Sequence, residues 1–241
     1  MKISVAQFRS KAGDIAHNQQ RHLEFVARAV EQNTALIAFP ELSLTGYEPK
    51  MAQTLATTPN DPQFDAFQTM SDQHQITITV GMPIQTASLP LIGMLIFRPN
   101  SPRGLYAKQF LHEDEWPFFS SGSGQAFFEL EGLRVVPAIC YESLQPEHAD
   151  IANSLKAKIY LTSVVKSLRG MTKAQDHYPA MAFEHRMTVI CSNGVGPSDD
   201  FVCAGRSGVW SAKGKLVTQM DEFSEGILTY DLSSETAWIT A

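Results

Sequence analysis

The most restrictive feature of this chain is a set of short apolar runs, each too brief for a helix and several ending on a polar or reactive residue. ALIAF (35–39) stops at Pro40 and Glu41, LYA (105–107) runs into Lys108, and VVPAI (135–139) closes on Cys140. Apolar runs of about four to eight residues bounded by breakers are the pattern of buried strands. Between such runs the period changes. GDIAHNQQRHLEFVARAVEQN spaces Leu23, Val26, Ala27 and Val30 at helical intervals, with Arg21, Glu24, Arg28 and Glu31 on the other side. Buried strands alternating with amphipathic helices predict an α/β protein whose sheet is covered by helices.

The rest of the chain follows the same alternation. Strands are predicted at the start (Ile3, Val5, Gln7, Phe8) and at ITITVG, LIGMLIF, LRVVPAIC, KIYLTSVV and TVICSN. Helices are predicted near 62–74, with Phe64, Phe67 and Met70 in register, and over PEHADIANSLKAK, with Ile151 and Leu155 on one side. A further helix is expected around AMAFEHRM, with Pro179 at or near its start, where proline is tolerated. From Gly205 onward, GRSGVWS, KLVTQM and GILTYDL read as a meander. No Ser/Gly or Pro linker divides the chain, so residues 1–241 are expected to form one domain.

Composition removes several classes of function. A formal net charge of −6 opposes nucleic-acid binding, which needs a basic face. Residues 73–97 carry no Asp, Glu, Lys or Arg, but Pro83, Pro90 and scattered Gln, Thr and Ser rule against a spanning helix, and no membrane partner is expected. Three cysteines cannot all pair with one another, and the opening MKISVAQFRS lacks the apolar run of a signal peptide. Free thiols in a reducing, cytoplasmic compartment are expected.

Reacting groups in α/β sheets collect at the carboxyl ends of strands, where Glu41, Lys108 and Cys140 are predicted to lie. Each alone has an ordinary reading: a small buried cysteine, a turn-starting glutamate, a solvated lysine. Rival sites lack their accompanying motifs. Ser163-Val-Val-Lys166 matches S-x-x-K without its S-D-N and K-T-G companions. His148 and His177 could partner a papain-like cysteine, but the local signature is missing. No C-x-x-C, H-E-x-x-H, P-loop or G-x-G-x-x-G occurs, so no metal and no cofactor is expected.

Taken whole, three segments change that balance. FPELSLTGY (39–47), YAKQFLHEDEWPFF (106–119) and PAICYESLQPE (137–147) resemble, in order and spacing, the three catalytic segments of the nitrilase superfamily of carbon–nitrogen hydrolases. Weaker likeness runs through GDIAHN, AFEHRM and SNGVGPSDDFVCAGRSGVWSAKGK, so it covers nearly the whole chain. The resemblance implies an α-β-β-α sandwich, completed as α-β-β-α-α-β-β-α when a homodimer forms. It also implies hydrolysis of a non-peptide C–N bond in a small-molecule amide, giving acid and ammonia through a Cys140 thioester. Glu41 would be the general base, and Lys108 would stabilise the oxyanion together with the backbone N–H of Tyr141. Nitrile or N-carbamoyl hydrolysis by the same trio is the nearest alternative, and a catalytically silent oligomeric scaffold is the alternative of another class.

These roles suit the chemistry. Amides are poor electrophiles, and a covalent intermediate divides one high barrier into two lower ones. A thiol with an ordinary pKa near ~8.5 needs a base or a nearby cation to act at neutral pH. The family's second carboxylate falls among Glu113, Asp114 and Glu115, and Glu115 is preferred because it directly precedes the aromatic WPFF. After Cys140-Tyr141 family members often carry an acidic residue and then arginine and phenylalanine, where this chain has Glu142, Ser143, Leu144 and Gln145, and it departs again at SVVKSLRG. In the latter, Lys166 and Arg169 either receive a substrate carboxylate or belong to a solvated loop. Substrate choice is expected in the loops 47–60, 112–125, 164–178 and 193–206.

Overall fold

In the computed structural model, which describes residues 1–124 and 126–241, the apolar runs become the strands of two facing sheets. Gln125, the last residue of the 112–125 loop, lies outside the described residues. One sheet has seven strands in the order Thr236–Thr240, Gly226–Asp231, Lys2–Gln7, Leu36–Ala38, Thr77–Ile84, Leu91–Phe97 and Gly104–Ala107. The other has six, in the order Leu216–Gln219, Gly208–Trp210, Thr188–Asn193, Ile159–Val164, Leu133–Ile139 and Phe128–Leu130.

The two-residue period of a strand sends alternate side chains into different layers. Leu36 and Ala38 face the space between the sheets, where Ile3, Val5 and Ile92 meet Val135, Ile159 and Ile190 of the other sheet. Ile37 points the opposite way, into a second core with Phe25, Val26 and Ala29 of the helix Ile15–Glu31 and Phe67 of the helix Asp65–His74. A third core packs Val136, Tyr160 and Val189 against Ala149 and Ala152 of Pro146–Ser154 and against Met171, Ala174 and Tyr178 of Leu168–His185. The layers are therefore α-β-β-α, the arrangement that the sequence resemblance implies. Among the described residues no helix is long and apolar enough to cross a membrane.

Four expectations need correction. The first helix buries Asn18, His22, Phe25, Val26 and Ala29, while Ala27 is exposed and Leu23 only half-buried. Its inward stripe contains two polar residues, which apolar periodicity cannot register. Pro146–Ser154 likewise buries His148, Ala149 and Ala152 rather than Ile151 and Leu155. Pro179 lies inside the helix Leu168–His185, not at its start. Burial of Met171, Ala174, Tyr178, Met181 and Ala182 on both sides of the proline offsets the roughly 3 kcal/mol that an interior proline costs. Finally, the C-terminal third is not one meander. Gly208–Trp210 and Leu216–Gln219 stay in the six-stranded sheet, whereas Gly226–Asp231 crosses to pair with Lys2–Gln7 and protects what would be an open edge. The loop 193–206 contains a two-stranded ribbon, Val195–Ser198 with Phe201–Ala204.

Candidate active site

Glu41 sits in the turn after Leu36–Ala38 and is 2% exposed. The turn rests on the neighbouring strand: Leu44 N–H donates to Gly81 O (3.0 Å), and Gly81 N–H donates to Ser43 Oγ (3.3 Å). A Cβ at Gly81 would overlap Leu42 N and stand 2.7 Å from Pro40 O, so this approach requires glycine. The first helix holds the other side. Asn18 Nδ2 donates to Leu44 O (3.0 Å), and His22 lies 2.6 Å from Asn18 O through Nδ1 and 2.9 Å from Ser43 Oγ through Nε2. The carbonyl can only accept, so His22 carries its proton on Nδ1 and accepts the serine hydroxyl at Nε2. Burial pushes the His22 pKa down to about 3 and keeps the ring neutral.

Lys108 follows Gly104–Ala107 and is fully buried. Its Nζ donates to Glu41 Oε1 (2.7 Å) and Glu115 Oε1 (2.6 Å). Glu115 is fixed in turn by the His112 N–H on Oε2 (2.8 Å) and the Tyr47 hydroxyl on Oε1 (3.1 Å). Glu113 and Asp114 are exposed, and Asp114 pairs with His112 Nδ1 (2.7 Å). Burial disfavours the Lys108 charge, but the two carboxylates outweigh it and hold its pKa above the ordinary lysine value. Burial raises the Glu41 pKa, with Lys108 opposing and Glu115 adding to the rise. Glu41 Oε2 is buried with no hydrogen-bond partner among the described residues.

Cys140 ends Leu133–Ile139 with φ +50°, a left-handed conformation uncommon for a non-glycine residue. The short turn Cys140–Leu144 that imposes it is tied down by Glu142. Glu142 Oε1 accepts from Ile139 N–H (2.6 Å) and the Tyr106 hydroxyl (2.6 Å), and Oε2 accepts from Gln109 N–H (2.8 Å). One carboxylate thus joins the cysteine turn to the backbone beside Lys108. Burial pushes Glu142 up to about 7 against these hydrogen bonds. The Cys140 thiol lies 3.6 Å from Val165 O, and burial pushes it up to about 11, with Glu41 adding to the rise and Lys166 and Lys108 opposing it.

These groups line a cavity of about 250 Å³ that includes Tyr47, Lys108, Glu115, Cys140, Tyr141 and Lys166. Glu41 reaches it through Lys108, and Glu41 also borders a small adjoining hollow. Arg169 is exposed and does not line the cavity. His148 is instead buried between the hydroxyls of Tyr106 (3.0 Å) and Tyr160 (2.7 Å), and Ser163 is buried in the strand Ile159–Val164. Among the described residues no group of three His, Cys, Asp or Glu side chains is placed to hold a metal ion. The sequence alone assigns no role to Tyr47, Glu142, Gly81 or the Asn18–His22 pair. Tyr47 and Glu142 lay within the quoted motifs, whereas the other three take their roles from contacts across the fold.

The sequence profile of the carbon-nitrogen hydrolase family matches residues 2–238. An α-β-β-α sandwich with a buried Glu–Lys–Glu cluster beside a strand-ending cysteine is thereby placed in a class of enzymes, and the chain belongs to the carbon-nitrogen hydrolase family. It is 27% identical to a glutamine-dependent NAD(+) synthetase of Aquifex aeolicus over 96% of this chain and 42% of that protein. The chain thus spans less than half the length of that relative. It is 26% identical to a probable nitrilase of Schizosaccharomyces pombe, over 98% of this chain and 91% of the relative. Among solved structures, a variant amidase from Nesterenkonia sp. AN1, in which acrylamide has added to the active-site cysteine, superposes with a TM-score of 0.88. The two share 22% identity, with 98% of this chain and 94% of that chain covered.

Proposed function

We propose that the protein hydrolyses small carboxamides to carboxylic acid and ammonia through a Cys140 acyl-enzyme. The observation that carries this reading is the division of labour around Lys108. Two of the three ammonium donors are committed to Glu41 and Glu115. The third is free to meet an oxyanion, and the unpartnered Glu41 Oε2 is free to take a proton.

With the thiol pKa near 11, the resting cysteine is protonated. In the first step Glu41 accepts the Sγ proton while Sγ bonds to the amide carbon, and the carbonyl π electrons move onto oxygen. Lys108 Nζ and the Tyr141 N–H, which as an early residue of its turn has no acceptor within that turn, stabilise this oxyanion. Glu41 then passes its proton to the amide nitrogen, the C–N bond breaks and ammonia leaves a thioester. Water attacks the thioester after giving a proton to Glu41, the C–S bond breaks, and that proton returns to sulfur. Glu115 keeps Lys108 charged and in place. Similarity to a family whose members include an amidase with a reactive active-site cysteine supports the reading.

We also read residues 1–241 as one domain, because the core between the sheets draws on strands from both ends of the chain. Phe183 and Leu168, 69% and 46% exposed on the outer helix Leu168–His185, support a homodimer formed through that layer. Three unpaired cysteines support a cytoplasmic location. The test of the catalytic reading is ammonia release from a panel of short amides, with intact-mass detection of the acyl adduct in Glu41→Gln. Cys140→Ala is expected to abolish turnover while keeping the wild-type circular dichroism spectrum; retained turnover would overturn the mechanism.

A further inference from the structure

Lys108 and Cys140 come from different sheets. The lysine follows Gly104–Ala107 of the seven-stranded sheet, and the cysteine ends Leu133–Ile139 of the six-stranded one. Between the sheets lies apolar packing, which is non-directional and does not by itself fix the offset of one sheet against the other. An oxyanion held jointly by the Lys108 ammonium and the Tyr141 N–H needs that offset fixed, because a misplacement of about 1 Å can cost about a hundredfold in rate.

Glu142 meets both sides of the gap. Lys108 N–H still donates to its strand neighbour at Ile92 O (2.9 Å), whereas the next donor, Gln109 N–H, turns to Glu142 Oε2 (2.8 Å), with Phe110 N–H at 3.4 Å. From the six-stranded sheet, Ile139 N–H donates to Oε1 (2.6 Å). One carboxyl group therefore anchors the peptide joining Lys108 to Gln109 and the residue just before Cys140. Its remaining contact is a donor too. The Tyr106 hydroxyl gives its single proton to Oε1 (2.6 Å), so His148 Nε2–H donates to the Tyr106 oxygen (3.0 Å) and the Tyr160 hydroxyl donates to His148 Nδ1 (2.7 Å). Every proton in this buried line points toward Glu142, and both carboxyl oxygens act as acceptors. An amide in its place would bring an NH2 group against one of the two backbone N–H groups, keeping one anchor and losing the other.

We propose that Glu142 is a positioning residue that sets the spacing of the two oxyanion donors, Lys108 Nζ and the Tyr141 N–H, across the sheet interface. The proposal rests on the amidase reading. Glu142 does not line the cavity and acts through the backbone on either side of it. Its effect falls on steps that build negative charge on a carbonyl oxygen and spares reactions of the Cys140 thiol that build none.

The test compares two reactions of the same thiol in the full-length protein and in Glu142→Gln. Amide hydrolysis passes through a tetrahedral oxyanion. Modification by methyl methanethiosulfonate does not: Sγ gives its proton to Glu41 and bonds to the methylthio sulfur, and the S–S bond of the reagent breaks to release methanesulfinate. For butanamide, kcat is expected to fall at least about tenfold in Glu142→Gln, with KM within about threefold. The rate of Cys140 modification, followed by intact mass, is expected to stay within about threefold. Tyr106→Phe removes a donor to the same carboxylate but neither backbone anchor, and it is expected to lower Tm while kcat falls less than about threefold. Glu142→Asp keeps the buried charge but is one methylene short of spanning both anchors. It is expected to repeat the split between the two reactions, so the comparison does not depend on how well the amide variant folds. Equal falls in both reactions, or turnover unchanged in Glu142→Gln and Glu142→Asp, would overturn the role. Failure of the amidase reading looks different: the wild-type protein then cleaves no amide and forms no acyl adduct, and the positioning role falls with it.

Discussion

Two buried lysines face the same cavity, and they are built in opposite ways. Lys108 is fully buried and held between two carboxylates at 2.7 and 2.6 Å. Lys166 is 7% exposed, and the fold fixes its backbone while its ammonium has no ion-pair partner among the described residues. A preorganised ion cluster needs no rearrangement when charge develops in a reaction, and this suits groups that act on every substrate alike.

The contrast can be broken most sharply by removing each charge in turn. Lys108→Met strands two buried carboxylates, so turnover should fall by at least about a thousandfold, and urea denaturation should show a loss of about 3–5 kcal/mol. Lys166→Met removes a charge that no carboxylate holds among the described residues, and the same denaturation should show little or no loss. Equal destabilisation by both would erase the distinction. Glu115→Gln keeps the shape and a hydrogen bond but weakens the hold on Lys108, so kcat should drop by about a hundredfold with little change in Tm. Equal activity in mutant and wild type would remove Glu115 from the site.

A smaller effect is expected from Glu142, which braces the cysteine turn. Its folded pKa of about 7 lies above the ordinary 4.5, so the folded protein binds this proton more tightly than the unfolded chain does. The resulting stabilisation is complete below pH about 4.5 and disappears as pH rises to about 7. Urea denaturation across that window should therefore show a downward slope in the wild type that is flatter in Glu142→Gln. The smallest expected change is in Gly170→Ala, where the added methyl crowds the Lys166 stem. KM for short amides should rise a few-fold, and an unchanged KM would show that the stem position does not matter.

Much of this site was legible before any coordinates. Glu41, Lys108 and Cys140 stand at the ends of apolar runs, and Glu115 is preferred over its acidic neighbours through the family resemblance, in which the acidic residue directly precedes an aromatic stretch such as WPFF. In the structure Glu115 meets Lys108, while Glu113 and Asp114 face solvent. Other features could not be read that way. Asn18 and His22 are polar residues on a buried helical face, and hydrophobic spacing places polar residues outside by construction. Pro179 reads as a helix start in any local window, and only packing on both sides of it carries the helix through.

By itself, the sequence determined the strands and most of the helices, because these depend on short-range periodicity, and it proposed the reactive groups only through the resemblance of three whole segments to a known family. Tertiary structure alone decided which charges were compensated. Lys108 and Lys166 are both lysines after apolar strands, and no local pattern separates them. Pairing depends on which residues distant in the chain arrive within about 3 Å, and the energy of a charge depends on the water those residues exclude. The path of Gly226–Asp231 into the far sheet was decided in the same way, by the open edge that Lys2–Gln7 presented.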